Sequence, residues 1–210
     1  MTASPRGGLI VISAPSGAGK TTLVREALRS HANLAFSISC TTRPPRPSER
    51  DGVDYCFVGE SRFQAMLASN EFLEWARVFD HWYGTRRSSV DALRAAGKTV
   101  LLEIDWQGAE QIRAREPTAV SVFILPPSRA ELERRLRGRG TDTKQNIGRR
   151  LRDALTDMAQ WEQFDYVLIN DDLAAAVAAF RAILDGRGNE HRADSPAVRR
   201  AAEQILADSA

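Results

Sequence analysis

The amino-acid sequence predicts an α/β fold in which a parallel β-sheet is flanked by helices. Short apolar runs rich in β-branched residues alternate with stretches in which apolar residues recur at helical spacing. Strands that alternate with helices in this way are typical of parallel sheets. The length of 210 residues and the hydrophobic content of 43% fit one compact domain with small insertions.

The composition excludes several classes of protein. The 29 Lys and Arg residues nearly balance the 27 Asp and Glu residues, and the formal charge of +2 is too low for a general nucleic-acid coat protein. Cys40 and Cys56 form neither a CxxC pair nor a disulfide framework, which is typical of a reducing compartment. The histidines lack metal-ligand spacing, and no apolar run is long enough to span a membrane. We therefore expect a cytoplasmic protein with no nucleic-acid or membrane partner, and the oligomeric state stays open.

The first element is a strand that leads through a glycine-rich loop into a helix. The apolar run Leu9 to Ile12 precedes the loop, and Leu23, Ala27 and Leu28 follow it at helical spacing. Because it lies between a strand and a helix, the segment Ala14 to Thr21 has the context of a phosphate-binding loop, or P-loop.

Each residue type in this loop has a chemical reason. Glycines let backbone N–H groups turn toward phosphate oxygens, and the helix N-terminus adds positive potential. Lys20 is expected to reach the outer phosphates, and the Thr21 hydroxyl is expected to ligate Mg²⁺. Ala14 replaces the glycine of the usual pattern, and an ordinary glycine-rich turn is the alternative.

The second region, residues 37–87, breaks the alternation of strands and helices. It contains the Pro/Arg turn Arg43 to Arg50, the short run Asp54 to Val58 and several aromatic residues, which together predict a small β-rich insertion. The segment Arg43 to Pro47 has two interpretations that the sequence leaves open. It is either a polyproline-type ligand for another domain or a rigid turn that presents two guanidinium groups to phosphate oxygens.

The next strand, Thr99 to Ile104, is followed directly by Asp105 and includes Glu103 near its end. Carboxylates at the C-terminal edge of a parallel sheet are expected near a phosphate-bound metal. The alternative is that these acids cap the following helix.

The sequence from Ala119 onward predicts two more strands, a lid and three helices. The strands are Ala119 to Leu125 and Tyr166 to Ile169. Two helical faces are predicted to be buried, one with Ile147, Leu151, Leu155 and Met158, the other with Leu173, Val177, Phe180 and Leu184. After a polar linker, Ser195 is predicted to cap a last helix with Pro196 at its first position.

The predicted lid is the glycine-rich, charged segment Arg137 to Asp142. Several arginines lie in and around it: Arg135, Arg137, Arg139, Arg149 and Arg150. They predict a clamp for the charge that develops in phosphoryl transfer, and solvated surface arginines are the alternative.

Taken together, the motifs resemble those of guanylate kinases, in the nucleoside-monophosphate kinase superfamily. The resemblance runs from about Leu9 to Leu184 and rests on Ser13–Thr21, Ser39–Arg46, Asp54–Tyr55, Glu71–Ala76, Tyr83–Thr85, Ile104–Gly108, the lid and Asn170–Asp172. It implies a transferase that converts ATP and GMP to ADP and GDP with Mg²⁺, with dGMP also expected as an acceptor. A lone P-loop would imply no more than a nucleoside triphosphatase.

The resemblance also implies how the chain is organised. A P-loop core comprises residues 9–36, 88–127 and 159–186, a GMP-binding insertion comprises residues 37–87, and a lid comprises residues 128–158. A C-terminal helical tail covers residues 187–210, where the resemblance is weak.

The resemblance assigns roles to individual residues. The ATP site matches Ser13, Ala14, Pro15, Ser16, Gly17, Ala18, Gly19, Lys20, Thr21 and Thr22, with Asn170 near the adenine. The GMP site matches Ser39, Arg43, Arg46, Tyr55, Glu74, Tyr83, Thr85, Glu103 and Asp105. The catalytic cations are Lys20, Arg43, Arg135, Arg139 and Arg150. Glu103 stands where the family usually has aspartate, and Thr85 where some members have serine.

The chemistry of the reaction agrees with this assignment. The acceptor is a phosphate oxygen that is already ionised near pH 7, so no general base is needed and cations must offset the repulsion between two anions. Guanine presents two donors, N1 and N2, to which an acceptor-only carboxylate such as Glu74 is complementary. A non-catalytic guanylate kinase-like protein-binding module and a kinase for another small acceptor are the alternatives. The retained Lys20, Thr21 and lid arginines argue against the protein-binding module.

Overall fold

The computed structural model describes residues 7–78, 80–138 and 144–207. Strands and helices alternate over most of this length. In chain order they are β1 (Leu9–Ser13), α1 (Lys20–Ser30), β2 (Leu34–Phe36), β3 (Cys40–Thr41), β4 (Cys56–Phe57), α2 (Glu60–Ala68), β5 (Phe72–Val78), β6 (His81–Arg86), α3 (Arg87–Ala95), β7 (Thr99–Glu103), α4 (Trp106–Arg115), β8 (Val120–Leu125), α5 (Arg129–Arg137), α6 (Lys144–Met158), β9 (Tyr166–Ile169), α7 (Leu173–Leu184) and α8 (Pro196–Ala207). Two short 3₁₀ turns lie at Trp161–Gln163 and Asn189–His191.

The larger sheet has five strands in the order β2-β7-β1-β8-β9. The pairs β2–β7 and β8–β9 are parallel, with Leu34 opposite Thr99 and Val122 opposite Tyr166. All five residues of β1 are buried, as expected for a strand covered by helices on both faces. The predicted α/β class with a parallel sheet is confirmed.

The smaller sheet has four strands in the order β4-β3-β6-β5. β3 runs parallel to β4 and antiparallel to β6, and β5 runs antiparallel to β6 with an irregularity between Phe72 and Glu74. This sheet lies within the region in which the sequence predicts a β-rich insertion.

The chain divides into two compact units. The first comprises residues 1–11 and 32–120 and holds the four-stranded sheet. Behind that sheet lies an apolar cluster of Cys40, Phe63, Met66 and Phe72, against which Cys56, Val58, Leu67, Trp75 and Trp82 pack. Phe63 and Phe72 stack with their ring centroids 4.5 Å apart.

The second unit comprises residues 12–31 and 121–210. Its core includes Leu132 and Leu136 of α5, Phe180 of α7 and the ring contact of Phe123 with Phe164 at 4.9 Å. The predicted last helix is present as α8, and Val198, Ala202 and Ile205 are buried along it. Among the described residues, no helix is long and apolar enough to cross a membrane.

Two predicted helical faces need correction. In α7 the buried residues are Ala176, Val177, Phe180 and Ile183, whereas Leu173 is 38% exposed. Leu173 is exposed because it is the first helical residue after the Asp172 cap. In α6 Met158 is buried together with Ala154, while Leu151 and Leu155 are only partly buried and the Ile147 side chain lies outside the described part.

Candidate active site

The P-loop connects β1 to α1 in the second unit. Gly17 and Gly19 have φ angles of 99° and 91°, which side chains with a Cβ rarely adopt. Gly19 is the N-cap residue of α1, so the helix begins at Lys20 and its first backbone N–H groups follow the loop directly. The backbone therefore has the turn and the helix N-terminus that phosphate binding requires.

Side chains from elsewhere in the second unit hold this loop in place. The Asn170 amide donates to the Ala18 carbonyl oxygen at 2.7 Å, and Arg135 Nη1 donates to the same oxygen at 3.4 Å. Arg135 also donates to the Asn170 carbonyl at 3.1 Å and to Glu131 at 2.6 Å. A Cβ on Gly19 would lie 2.3 Å from Asn170 Nδ2, so glycine is required here for close packing as well.

These contacts indicate what two sequence-predicted residues do in the structure. Asn170 is 5% exposed and supports the loop backbone, a contact that the expectation of a position near adenine does not include. Arg135 lies beside the loop as its predicted catalytic role requires.

The other arginines around the predicted lid have different surroundings. Arg137 is bound to Glu133 of its own helix, and Arg149 lies 3.9 Å from Asp153. Arg150 is a partly buried residue of α6, and Arg139 lies outside the described residues together with most of the predicted lid.

A second group of polar side chains lies in the first unit, at the ends of β5 and β6. Glu74 of β5 pairs with Thr85 of β6, and the Ser39 and Thr85 hydroxyls are 3.3 Å apart. Glu74, Thr85 and Ser39 are 2%, 0% and 7% exposed. The antiparallel register thus brings together three residues that are distant in sequence.

The N-terminus of α4 completes this group. Asp105 is the N-cap residue of α4 and accepts from the Gly108 N–H at 2.9 Å and from Gln107 Nε2 at 3.0 Å. The alternative that an acid caps this helix is therefore correct for Asp105. A Cβ on Gly108 would lie 2.4 Å from Glu74 Oε2, so only glycine lets the helix approach the carboxylate this closely.

The environment of Glu74 shifts its acidity. Burial is the main cause that raises the pKa of Glu74 to about 7, and the charge of Asp105 acts in the same direction. Hydrogen bonds from Thr85 and the charge of Arg115 oppose the shift. The carboxylate is therefore poised between its two forms near neutral pH, and a ligand that donates hydrogen bonds would favour the ionised form.

Arg43 is the centre of a third group, which lies next to β3. Its Nε donates to the Tyr83 hydroxyl at 3.2 Å, its Nη2 to Glu49 at 2.8 Å, and its guanidinium lies 5.4 Å from the centre of the Tyr55 ring. Burial raises the pKa of Tyr55 to about 12, with the charge of Glu103 adding to the shift, so the phenol keeps its proton to donate. Arg46 is more exposed, and its Nη1 lies 3.7 Å from Glu49.

Two residues of these groups, Glu49 and Gln111, were not predicted from the sequence. Glu49 joins the Arg43 side chain to the Arg46 backbone, from whose N–H it accepts at 2.8 Å. Gln111 of α4 accepts from the Trp75 N–H at 3.2 Å and donates to the Trp75 carbonyl at 2.6 Å, which fixes the strand next to Glu74. The spacing of Glu49 after two arginines was a usable signal, whereas nothing in the sequence indicates the partner of Gln111.

The donor set fits a magnesium ion held mainly by nucleotide phosphates. Among the residues that the structure describes, no group of three or more His, Cys, Asp or Glu side chains could hold a metal ion. Mg²⁺ is commonly bound by one or two protein oxygens plus substrate phosphates, and Thr21 in the first turn of α1 offers such an oxygen.

Comparison with known proteins adds independent information. The family model described as Guanylate kinase matches residues 6–187. A guanylate kinase of Alkalilimnicola ehrlichii is 53% identical over 186 residues, which cover 89% of this chain and 91% of that protein. One of Dechloromonas aromatica is 54% identical over 182 residues, covering 87% and 90% of the two chains. The crystal structure of guanylate kinase from Anaplasma phagocytophilum aligns over the full length of both chains with a TM-score of 0.73 and 29% identity.

Proposed function

Because the chain belongs to the guanylate kinase family, we propose that its P-loop binds ATP and that the Glu74 and Arg43 groups bind GMP. The overall reaction transfers the γ-phosphoryl group of ATP to GMP and gives ADP and GDP. The observation that carries the assignment of the acceptor is a buried carboxylate, Glu74, surrounded by two hydroxyl groups and a second acid.

The buried acids determine which base is preferred. Guanine N1 and N2 donate to the Glu74 carboxylate, and Ser39, Thr85 and Asp105 supply further partners around the base. Adenine presents an acceptor at N1, which would leave the carboxylate facing another acceptor in a buried site. The proposal assigns these residues to the base and the phosphate and none of them to the sugar, so it includes dGMP as an acceptor.

The groups around Arg43 bind the acceptor phosphate. Arg43 and Arg46 provide guanidinium groups, and Tyr55 and Tyr83 provide phenolic donors. The charge of Glu103 adds to the effect of burial, which raises the pKa of Tyr55 to about 12. Residues 37–87 thus form the GMP-binding insertion.

The P-loop and the cations neutralise the charge that moves during the transfer. Backbone N–H groups of the segment Ser13 to Thr22 cradle the phosphates, except at Pro15, which has no N–H. Lys20 stabilises charge on the transferred group. Thr21 would hold a Mg²⁺ ion, which supplies positive charge between phosphate oxygens when it is bound. Further positive charge comes from four arginines, Arg43, Arg135, Arg139 and Arg150. Asn170 supports the ATP site through its contact with the loop.

The cysteine thiols are consistent with a cytoplasmic protein.

Replacement of Glu74 by glutamine tests this function. Glu74→Gln keeps the size of the side chain but turns an amide NH₂ toward one of the guanine donors. We expect kcat/KM for GMP to fall by roughly 10² or more, because a buried donor loses its partner. AMP should be affected far less, because the amide can donate to N1 and accept from the amino group.

The experiment is a coupled assay of ADP release with GMP, dGMP, AMP and UMP as acceptors. Glu203→Gln, on the exposed face of α8, is the matched control with the same chemical change. A GMP to AMP ratio of kcat/KM that Glu74→Gln leaves unchanged would show that Glu74 does not read the base. The absence of turnover with all four monophosphates would favour the protein-binding alternative.

A further inference from the structure

The two cysteines of the chain lie side by side in the four-stranded sheet. Cys40 of β3 and Cys56 of β4 are paired residues in the parallel register, and both are free thiols. Adjacent strands are about 4.7–4.9 Å apart, and the Cα atoms of a disulfide are usually about 4.4–6.8 Å apart. The pairing of the strands therefore allows a disulfide between these residues.

Both thiols lie on the face of the sheet opposite the proposed GMP site. Cys40 belongs to the buried apolar cluster, and Cys56 packs against the same cluster. The residue before each cysteine belongs to the GMP site: Ser39 contacts the Thr85 hydroxyl, and Tyr55 lies under the Arg43 guanidinium. Ser39 and Tyr55 directly precede β3 and β4. Because successive side chains of an extended backbone point to opposite faces, each is expected on the side opposite to the thiol that follows it.

We propose that Cys40 and Cys56 are an oxidant-sensitive pair that closes to an intramolecular disulfide and thereby weakens GMP binding. The effect on GMP binding rests on the function proposed above, whereas formation of the disulfide does not.

The exchange starts at Cys56, which is partly exposed while Cys40 is fully buried. With a low-molecular-weight disulfide as oxidant, the Cys56 thiolate attacks one of its sulfur atoms and releases one small thiol. Cys40 sulfur then attacks Cys56 sulfur and releases the second small thiol. Two protein thiols are oxidised, one small disulfide is reduced, and the two cysteine protons end on the released thiols.

The environment of Cys40 is consistent with this order of events. Burial, followed by the adjacent Cys56, raises the pKa of Cys40 to about 12, with Glu71 acting in the same direction and Arg86 against it. Cys40 is therefore a poor initial nucleophile.

Closure of the bond has a consequence for the opposite face. A disulfide would join β3 covalently to β4 at the two residues that directly follow Ser39 and Tyr55. The two strands could then no longer adjust independently when GMP binds. We expect the KM for GMP to rise at least threefold and to return to its original value after reduction.

The experiment exposes the full chain to oxidised glutathione at pH 8 and counts free thiols under denaturing conditions. The expected count falls from two to none, tryptic mass spectrometry finds the Cys40 and Cys56 peptides joined, and the KM for GMP rises until dithiothreitol is added. Cys56→Ser and Cys40→Ala are the controls. Neither forms an internal disulfide. Cys56→Ser lacks the thiol that reacts first, so its KM is expected to be insensitive to the oxidant, whereas Cys40→Ala stops at the mixed disulfide and shows the effect of a glutathione adduct alone.

Three results would overturn the proposal. These are two thiols that persist in the oxidised sample, glutathione adducts without an internal bond, or a disulfide that leaves the KM for GMP unchanged. If the reduced protein does not phosphorylate GMP but the oxidised sample contains the joined Cys40 and Cys56 peptides, the proposed function fails. The proposal that the two cysteines form a disulfide is then still supported.

Discussion

Glu74 shows how one buried residue combines specificity with sensitivity to pH. Its carboxylate is 2% exposed and has a pKa of about 7, so the free site is partly protonated at neutral pH. In the proposed site, guanine N1 and N2 donate hydrogen bonds to Glu74. The ionised carboxylate can accept at both oxygens, whereas the protonated acid has a hydroxyl at one of them. Binding of GMP must therefore compete with a proton.

This competition predicts a pH-dependent KM for GMP. Below about pH 7 the site must release a proton to bind guanine, so the KM should rise by up to tenfold per pH unit. The GMP phosphate also titrates, with its second pKa near about 6, and that effect must be separated. We propose to measure KM between pH 6 and 8.5 in the wild type and in Glu74→Gln. The ratio of the two values cancels the phosphate titration, and a ratio that stays constant with pH contradicts the assignment.

The same group predicts a change in stability that needs no substrate. The pKa of Glu74 is raised from its ordinary value of 4.5 to about 7 on folding, so the folded state binds the proton more tightly. Its contribution to stability is fully present below about pH 4.5 and is lost as the pH rises through about 7. A shift of this size corresponds to an upper bound of about 3 kcal/mol.

Glu74→Gln removes this titration. Relative to the wild type, the variant should gain thermal stability between pH 5 and pH 8, and Glu203→Gln should not. Melting curves in the absence of nucleotide measure both. A difference between wild type and Glu74→Gln that is equal at the two pH values would mean that Glu74 is not buried as described.

At the scale of elements, the hydrophobic patterns predicted those strands whose position depends mainly on burial in the core. β1, β7, β8 and β9 were predicted within one residue at each end, because short apolar runs between turns have few alternatives. Leu173 was predicted to be buried in α7 and is exposed. Apolar spacing alone did not indicate that this residue, directly after the Asp172 cap, lies outside the core.

The residues of the candidate site could be predicted where they are adjacent in the sequence. The P-loop is one continuous segment, and its residues could be identified from spacing alone. Glu49 and Gln111 depend on a turn and on a helix that docks on a strand, and no sequence period encodes those contacts. The role of Glu74 came from the family resemblance, and its environment became visible only in the fold.

Gly19 tests the link between a loop and the helix that it starts. Gly19→Ala would put a side chain at φ 91° and a Cβ 2.3 Å from Asn170 Nδ2. We expect a loss of about 1–3 kcal/mol of stability from the backbone strain, a further loss from the displaced amide, and a large fall in turnover.

Gly186→Ala is the matched control because it has φ 73° and no atom within 4 Å of an added Cβ. It carries the strain without the clash, so it should lose less stability and keep its turnover. Thermal melts and the coupled assay distinguish the two variants. Equal losses in both would show that the contact with Asn170 does not constrain the loop.

At the scale of the whole molecule, the two nucleotides are assigned to different units. The P-loop with Asn170 and Arg135 belongs to the second unit, and the Glu74 and Arg43 groups belong to the first. Each unit therefore has its own set of ligand contacts that a substitution can remove separately.

This assignment predicts a crossed pattern of ligand stabilisation. A ligand at 100 times its Kd stabilises the folded state by about 2.7 kcal/mol, which for a chain of this size raises the Tm by about 5–10 °C. Lys20→Ala should lose most of the shift with ATP and Mg²⁺ and keep the shift with GMP, because the proposed role of Lys20 is to bind the triphosphate. Glu74→Gln should keep the ATP shift and lose the GMP shift, and Glu203→Gln should keep both. Thermal melts of the four proteins with each nucleotide alone measure the pattern. A substitution that removes both shifts while the free protein melts normally would mean that the two nucleotides do not occupy separate units.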